Sequence, residues 1–361
     1  MNILLDARSI SRTGIGSYTK MLIHGLSGDR RINLFVMGSY RDLKDFVDEG
    51  KVINVPNSIY SVSEQLYTFL AEIRSKSVDL VHYTNFNKSL VSVKKYVVTV
   101  HDLIQFKFKY GNKLKLSIAK AIFYNSVSNA RSVICVSQST RNELLQMFPD
   151  IDESKVRVVY NPSVNPLHRI TDYVDVKHKY GLERYILYVG NRKPHKNVHT
   201  LVKAFRLVLD ENPSLKLVIV GKKFKSIDEV DREIESNGLR GCVLTLENIQ
   251  QNELISFYRD AELTVLPSLE EGFGLTPFES IAQGTLPLVS DIPVMRELFF
   301  DETNIFFDPS SPEDIARKIS FFLLSEGDRE NLVKKLSKYL GIYSFERFLE
   351  NTVEVYKESL K

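Results

Sequence analysis

Residues 262–283 read ELTVLPSLEEGFGLTPFESIAQ and show the pattern of a β-strand, a glycine-rich bend and an α-helix. ELTVL is apolar and β-branched, and the helix is expected to begin with Thr276 as its N-cap and Pro277 at its first position. Gly272 and Gly274 lack Cβ atoms, so a ligand could approach the backbone amides of the bend. A strand that leads directly into a helix is the unit of parallel sheets covered by helices.

The same alternation continues along the whole chain and predicts an α/β fold with parallel sheets. A length of 361 residues exceeds the roughly 250–300 residues at which one core stops growing, so we predict two domains. Strands are predicted at 2–6, 32–38, 79–83, 96–101, 132–136, 155–160, 184–190, 215–221, 242–247, 262–267, 285–290 and 304–307. Helices are predicted at 16–28, 61–76, 113–129, 138–147, 197–212, 250–260, 312–325 and 345–360.

The alternation stops in the stretch 161–183 with its two Asn-Pro pairs, and the domain boundary is predicted near residues 165–182. We predict a Rossmann-like acceptor-binding domain at 1–168 and a Rossmann-like donor-binding domain at 169–345. The helix at 346–361 is expected to pack back on the first domain.

The composition is 43% hydrophobic and 26% charged, which excludes a mainly disordered chain. The beginning of the sequence has no signal-peptide pattern, and no apolar run approaches the about 20 residues that span a bilayer. We therefore expect a cytoplasmic protein.

The strand RYILYVG leads into Asn191, Arg192 and Lys196 and then into the amphipathic stretch VHTLVKAFRLVLD. Cations at the start of a helix that follows a strand form an anion site, and Arg192 and Lys196 could clamp a diphosphate. A solvated turn would use the same residues, so that alternative stays open.

Gly14 and Gly16 follow the first strand and precede a helix, where backbone amides could meet a phosphate. The alternative is an ordinary tight loop. The third glycine of a dinucleotide fingerprint is missing because Thr19 stands at its position, which disfavours NAD.

His101 follows the apolar run YVVTV and should lie at the carboxyl edge of a sheet, where α/β proteins bind ligands. The alternative is a structural histidine. His82, also at a strand end, is interpreted as structural or as shaping the acceptor side.

Glu271 and Glu279 flank the glycines of the bend at 267–280. Two carboxylates beside free amides can hold sugar hydroxyls while the amides meet phosphate. The alternative is a capping box formed by Thr276 and Glu279, which would leave Glu271 unexplained.

These motifs together resemble the large retaining GT-B glycosyltransferase family 4, whose Glu-x7-Glu motif matches Glu271 and Glu279. The resemblance runs through TGIGSY, VHD, VSQST, VYNP, VGNRKPHKN and EGFGLTPFES and covers nearly the whole chain. It implies two Rossmann-like α/β/α domains with parallel sheets that face each other across a cleft.

The resemblance also implies roles for individual residues. Glu279 would bind the ribose, Glu271 the sugar hydroxyls, and Lys196 the diphosphate, while His101 would contact the sugar near the scissile bond. The remaining donor contacts would come from Gly14, Gly16, Gly190, Asn191 and the main-chain amides of Phe273, Gly274, Leu275 and Thr276. No metal or other cofactor is expected, because cations and amides offset the charge of the leaving group.

One position departs from the family pattern. Many members carry arginine five residues before the diphosphate lysine, and Asn191 stands there in this chain. We expect the adjacent Arg192 to take its place. GDP-mannose is the preferred donor, followed by UDP-linked hexoses, and the acceptor would be a saccharide or a polyprenyl-diphosphate-linked saccharide, as in lipopolysaccharide and O-antigen synthesis.

Residues 1–170 carry 23 lysines and arginines against 14 acids, whereas residues 171–361 carry 25 against 31. Residues 88–120 alone contain eight lysines and one acid, Asp102. This stretch could dock on the anionic inner face of the cytoplasmic membrane, or it could be a solvated basic face. Nucleic-acid binding is disfavoured because no recognition module is present.

Two other functions remain open at this point. A GT-B nucleotide-sugar epimerase would need an acid/base pair that the sequence does not show. A non-catalytic sugar-nucleotide-binding protein would bind the donor without transfer.

Overall fold

A computed structural model describes residues 1–11, 13–55, 62–89, 91–109, 112–167, 172–300 and 302–361. The chain divides into two units, of which one comprises Met1–Leu167 with Phe345–Lys361 and the other His168–Ser344. The predicted boundary between residues 168 and 169 lies outside the described residues.

Thirteen strands form two sheets among the described residues. They are β1 (Asn2–Asp6), β2 (Asn33–Gly38), β3 (Val52–Asn54), β4 (Leu80–Tyr83), β5 (Tyr96–Val100), β6 (Ser132–Cys135), β7 (Val156–Val158), β8 (Tyr185–Val189), β9 (Lys216–Val220), β10 (Val243–Leu246), β11 (Leu263–Leu266), β12 (Pro287–Ser290) and β13 (Phe306–Phe307).

The described helices cover the sheets and connect the strands. They are α1 (Thr13–Gly28), α2 (Tyr40–Leu43), α3 (Val62–Arg74), α4 (Ile104–Lys107), α5 (Lys113–Ser128), α6 (Gln138–Met147), α7 (Val176–Tyr180), α8 (Val198–Val208), α9 (Glu229–Ser236), α10 (Gln251–Asp260), α11 (Thr276–Ala282), α12 (Pro293–Leu298), α13 (Pro312–Leu324), α14 (Glu326–Leu336), α15 (Lys338–Ile342) and α16 (Phe345–Leu360).

The sheet of the first unit has the strand order β3-β2-β1-β4-β5-β6-β7, and all its pairs are parallel. Its central strands are buried on both faces, which explains their continuous apolar sequences. The edge strand β3 was not predicted, because three residues give too short a pattern to recognise.

The C-terminal helix α16 belongs to the first unit. Phe348, Val353 and Tyr356 lie in the same apolar cluster as β1 and α1. At the edge of this interface the Arg157 Nε lies 2.9 Å from a Glu358 carboxylate oxygen. The last helix of the chain therefore completes the core of the first unit.

The sheet of the second unit has the order β10-β9-β8-β11-β12-β13, again with all pairs parallel. All six strands predicted for this half are present. Five helices of this unit were not predicted: α7, α9, α12, α14 and α15. Helix α14 shows why, because its sequence EGDRENLVKKL is too polar for a clear apolar stripe.

Candidate functional site

The second unit brings two of the predicted motifs together at the centre of its sheet. β8 and β11 are neighbours, but the chain leaves β8 toward β9 and leaves β11 toward β12, so the strand order reverses between them. Such a switch point opens a crevice at the carboxyl ends of the strands, where α/β sheets bind ligands. The segment after Val189 and the segment after Leu266 both begin there.

Hydrogen bonds join these two segments. The Asn197 Nδ2 donates to the carbonyl oxygens of Pro267, at 3.0 Å, and Pro309, at 2.7 Å. The Leu269 amide donates to the His195 carbonyl oxygen at 2.8 Å. The segments are therefore held in a fixed relation to each other.

Lys196 and Glu271 meet between these segments. The Lys196 Nζ lies 2.6 Å from the Glu271 Oε1, which also accepts a 2.7 Å hydrogen bond from the Ser268 hydroxyl. The Lys196 side chain is 18% exposed and that of Glu271 is 8% exposed. The Lys196 ammonium group is therefore accessible to a ligand, whereas water is largely excluded from the Glu271 carboxylate.

The glycine-rich bend places backbone donors beside this ion pair. Gly274 has a φ of +81°, and a Cβ there would lie 2.4 Å from the Met295 side chain, so the position requires glycine. Within the described part of the chain, the amides of Gly274, Leu275 and Thr276 have no hydrogen-bond acceptor. Phe273 places its side chain in the core, with its ring 5.5 Å from that of Phe278.

The capping box considered for Thr276 and Glu279 is absent. Helix α11 begins at Thr276, with Leu275 at the N-cap position and no side-chain cap, so the prediction of Thr276 as the N-cap is wrong. The Thr276 hydroxyl lies 3.4 Å from the Val189 carbonyl oxygen, and the Glu279 Oε2 accepts a 2.6 Å hydrogen bond from the buried Tyr258 hydroxyl. Burial raises the pKa of Glu279, and the bond from Tyr258 opposes this effect.

Arg192 does not join Lys196. Its side chain is fully buried, and its Nη1 lies 2.9 Å from Asp231 Oδ1 and 3.6 Å from Asp228 Oδ1. The guanidinium therefore ties the segment after β8 to the beginning of α9. Gly190 and Asn191 lie at the end of β8, where the Tyr188 hydroxyl donates to the Asn191 carbonyl oxygen at 2.7 Å.

In the first unit, Gly14 and Gly16 lie in the first turn of α1, which begins at Thr13 and so three residues before the predicted start at residue 16. The alternative of an ordinary tight loop at these glycines is wrong. A Cβ at Gly16 would lie 2.3 Å from the Ile10 carbonyl oxygen, whereas a Cβ at Gly14 would meet no atom within 4 Å. Gly16 is therefore required by packing, and Gly14 is exposed.

His101 follows β5, and its Nε2 donates to the Thr84 carbonyl oxygen at 2.8 Å. Its ring packs edge-on against Tyr18 of α1, with 4.8 Å between the ring centroids. Burial lowers the pKa of His101 to about 4, so the ring is neutral at neutral pH. Because Nε2 carries the proton, Nδ1 has a lone pair and can accept a hydrogen bond.

His82 has a structural role, which is one of the two interpretations given for it above. Its Nδ1 lies 2.6 Å from the Tyr356 hydroxyl of α16, and its Nε2 lies 2.7 Å from the Thr99 hydroxyl. The side chain is fully buried, which lowers its pKa to about 3.

The eight lysines of residues 88–120 do not form one basic surface. Lys88 is buried, the ammonium groups of Lys94 and Lys95 bond to the carbonyl oxygens of Val78 and Leu360, and Lys107 pairs with Glu143. The other four are exposed and make no ion pair with any residue that the structure describes: Lys109, Lys113, Lys115 and Lys120. The free basic charge is thus concentrated at and before α5.

Sequence reasoning missed Tyr258, Ser268 and Tyr188, whose hydroxyls support Glu279, Glu271 and Asn191. Tyr258 lies 21 residues before its partner on another helix, so no local spacing reveals the pair. Ser268 could have been found, because it stands three residues before Glu271 in the bend.

Two family models match most of the chain. Residues 12–162 match the model described as Glycosyltransferase Family 4, and residues 170–339 match the model described as Glycosyl transferases group 1. The O-antigen chain mannosyltransferase RfbU of Salmonella typhimurium is 28% identical over 68% of this chain and 69% of its own length. The O-antigen chain mannosyltransferase B of Escherichia coli is 24% identical over 96% of both chains.

Solved structures show the same GT-B fold. Anabaena HepE in complex with UDP and glucose gives a TM-score of 0.76 at 16% identity and covers 99% of both chains. A glycosyltransferase from Rickettsia africae also gives 0.76, at 20% identity, over 100% of this chain and 98% of the other. Among the described residues, no helix is long and apolar enough to cross a membrane.

Proposed function

The chain belongs to glycosyltransferase family 4, and on that premise we propose that it transfers a hexose from a nucleoside-diphosphate sugar to an acceptor hydroxyl with retention at the anomeric carbon. The observation that carries this proposal is the meeting of Lys196, Glu271 and the amides of Gly274–Thr276 at the switch point between β8 and β11. The acceptor is a saccharide or a lipid-linked saccharide of surface-polysaccharide synthesis. The names of the mannosyltransferase relatives support this setting.

In the reaction, the bond between the anomeric carbon and the diphosphate oxygen breaks, and a bond from the same carbon to the acceptor oxygen forms. The departing diphosphate gains negative charge, which the Lys196 ammonium and the amides of the bend stabilise. A β-phosphate oxygen takes the proton of the acceptor hydroxyl on the same face of the sugar. This scheme needs neither a nucleophile from the protein nor a metal ion.

The donor displaces one interaction that the structure shows. The Lys196 ammonium pairs with the Glu271 carboxylate at 2.6 Å. When a diphosphate binds, the ammonium turns to it, and the Glu271 carboxylate accepts hydroxyls of the sugar while Ser268 holds its Oε1. Glu279 binds the ribose. His101, neutral and with Nδ1 as acceptor, contacts the transferred sugar.

Mannose is the proposed sugar because the similar O-antigen enzymes are named mannosyltransferases, which favours GDP-mannose. A UDP-hexose is the second candidate, because the similar HepE structure holds UDP and glucose.

We propose that the acceptor is reached at an anionic membrane surface through α5. Leu114 and Ile118 are 72% and 52% exposed, and Ala121 continues the same face at the next helical turn. The opposite face holds Phe123 and Val127 in the core. Helix α5 therefore has a second apolar face that no described residue covers.

Lysines lie on both sides of this outward face. Lys113 lies on one side and Lys115 on the other, and both are exposed. Apolar side chains flanked by lysines are the pattern of helices that lie in the interface of an anionic bilayer. Each such lysine contributes about 1 kcal/mol near an anionic surface.

The donor proposal is tested first by binding and then by turnover. Thermal unfolding is followed with GDP-mannose, UDP-glucose, GDP and UDP, and the stabilising donor is incubated with a bacterial lipid extract while release of the nucleoside diphosphate is measured. Transfer predicts release that depends on the lipid fraction, with an anomeric configuration in the product equal to that of the donor. An inverted product would refute retention.

The same assay separates the alternative functions. A donor that is isomerised without lipid indicates an epimerase. A donor that stabilises the fold but is neither transferred nor slowly hydrolysed indicates a non-catalytic binding protein.

A further inference from the structure

Tyr258 is a buried residue behind the candidate donor site that none of the motifs includes. It lies on α10, is 2% exposed, and donates its hydroxyl hydrogen to the Glu279 Oε2 at 2.6 Å. Its own pKa lies far above the ordinary value because it is buried, so the phenol stays protonated and remains a donor to the carboxylate.

The backbone around Tyr258 keeps the hydroxyl in place. The Thr285 hydroxyl donates to the Tyr258 carbonyl oxygen at 2.6 Å, and Thr285 begins the segment that leads into β12. Tyr258 thus connects α10 to Glu279 of α11 and to the segment that follows α11.

The capping box that the local sequence favours is not formed, because α11 begins at Thr276 and the Glu279 carboxylate accepts from Tyr258. In a capping box, the Glu279 carboxylate would accept a hydrogen bond from the Thr276 amide, and neither group would then be available to a ligand. With Tyr258 holding the carboxylate, that box is not formed, and the Thr276 amide has no acceptor in the described part of the chain. Both the carboxylate and the amide remain available to a ligand.

The geometry points to Tyr258 as the positioning residue that fixes the plane of the Glu279 carboxylate and so makes the site select ribose over 2′-deoxyribose. This inference rests on the proposed donor site. One carboxylate oxygen is occupied by Tyr258, and the other, Oε1, has no partner among the described residues. A carboxylate held in one orientation accepts a hydrogen bond from a hydroxyl at one position of the sugar. A sugar that lacks this hydroxyl binds more weakly, because it leaves the buried carboxylate oxygen unpaired.

The test compares Tyr258→Phe with Tyr185→Phe. Tyr185 is a fully buried tyrosine of the same unit, and its hydroxyl donates to the Phe257 carbonyl oxygen at 2.9 Å, so its variant loses a comparable hydrogen bond that does not involve Glu279. Dissociation constants are measured by calorimetry for GDP, UDP and their 2′-deoxy counterparts. Thermal unfolding of each variant shows that the protein is folded at the temperature used.

We expect Tyr258→Phe to weaken binding of the preferred ribonucleotide about tenfold and to leave the 2′-deoxy form nearly unchanged, so that the ribose preference collapses. Tyr185→Phe should keep the preference of the wild type. An equal loss for both nucleotides in Tyr258→Phe, or an unchanged preference, overturns the inference.

Glu279→Gln separates this inference from the proposed function. If Glu279→Gln lowers ribonucleotide affinity while Tyr258→Phe keeps both affinity and preference, only the positioning role of Tyr258 is wrong. If Glu279→Gln binds GDP and UDP as the wild type does, the proposed donor site itself is wrong, and the inference is overturned with it.

Discussion

The Lys196 Nζ and the Glu271 Oε1 lie 2.6 Å apart, although 75 residues separate them in the sequence. The pair joins the segment after β8 to the glycine-rich bend after β11, and these strands meet where the strand order reverses. A cation and a carboxylate at this point can serve the two halves of a sugar diphosphate, the phosphates and the hydroxyls.

Lys196→Met should abolish most of the turnover. The variant removes the charge that we propose stabilises the departing diphosphate and keeps the apolar stem, so we expect a loss of about a hundredfold or more in kcat with the fold retained. Lys203→Met is the matched control, because Lys203 lies on α8 and pairs with Glu233 at 3.2 Å on an exposed surface. Equal turnover in the two variants would contradict the assignment of Lys196.

Donor binding should weaken in mild acid. Burial raises the pKa of Glu279, so as the pH falls its carboxylate takes up a proton earlier than an ordinary glutamate and ceases to accept from the ribose. Calorimetry with GDP-mannose and UDP-glucose from about pH 7 to about pH 5 measures this, since neither ligand has a terminal phosphate that titrates there. Glu279→Gln should bind weakly at all these pH values. A wild-type affinity that stays constant over the range would refute the role of this carboxylate.

Much of the fold could be predicted from the sequence because parallel strands buried on both faces have continuous apolar runs. β5 and β11 are clear for this reason, whereas the edge strand β3 is too short to show a pattern. The strand order, which brings β8 beside β11, is a property of the whole sheet. No segment of the sequence carries it.

The candidate site was predictable where one segment contains both the strand end and the polar groups. Glu271 and Gly274 are examples, since the glycine-rich bend holds both. The partner of Arg192 was not predictable, because its ion pairs with Asp228 and Asp231 depend on where α9 packs. Tyr258 was missed for the same reason: its hydroxyl reaches Glu279 from another helix.

Gly14 and Gly16 should respond in opposite ways to alanine. In Gly16→Ala the new Cβ would lie 2.3 Å from the Ile10 carbonyl oxygen, so we expect a loss of about 1–3 kcal/mol in the free energy of unfolding. Gly14→Ala meets no atom within 4 Å and gains helix propensity, so stability should rise by up to about 1 kcal/mol.

The functional role of Gly14 is decided by binding and not by stability. If its exposed backbone approaches the diphosphate, Gly14→Ala should weaken donor binding even though the fold is more stable. Denaturant unfolding and calorimetry on the same samples separate the two effects. Unchanged donor affinity would leave Gly14 with no part in the site.

The first unit should lose stability as the pH falls below about 6.5. Burial lowers the pKa of His82 to about 3 and that of His101 to about 4, so in this range the unfolded chain binds protons that the folded chain does not. The free energy of unfolding then falls by roughly 1.4 kcal/mol per pH unit for each histidine. Urea unfolding between about pH 6 and about pH 5 should show this fall in stability, and His82→Leu should reduce its slope by about 1.4 kcal/mol per pH unit. A slope that is the same in both proteins would show that His82 is not the titrating group.

Binding to anionic vesicles should depend on the outward face of α5. We expect Leu114→Glu with Ile118→Glu to abolish binding to vesicles of phosphatidylcholine and phosphatidylglycerol, because the variant replaces the inserted apolar side chains by charges that the surface repels. Leu324→Glu with Phe321→Glu is the matched control, since these α13 side chains are 82% and 53% exposed, against 72% and 52% for the α5 pair.

The lysines beside this face should contribute separately. A variant with Lys113, Lys115 and Lys120 all changed to alanine should bind anionic vesicles about a hundredfold more weakly, at about 1 kcal/mol for each lysine. Sedimentation with vesicles of phosphatidylcholine alone measures the uncharged contribution. If the wild type sediments equally with both kinds of vesicle, the basic residues have no membrane role, and if only the α13 control loses binding, the surface lies on the other unit.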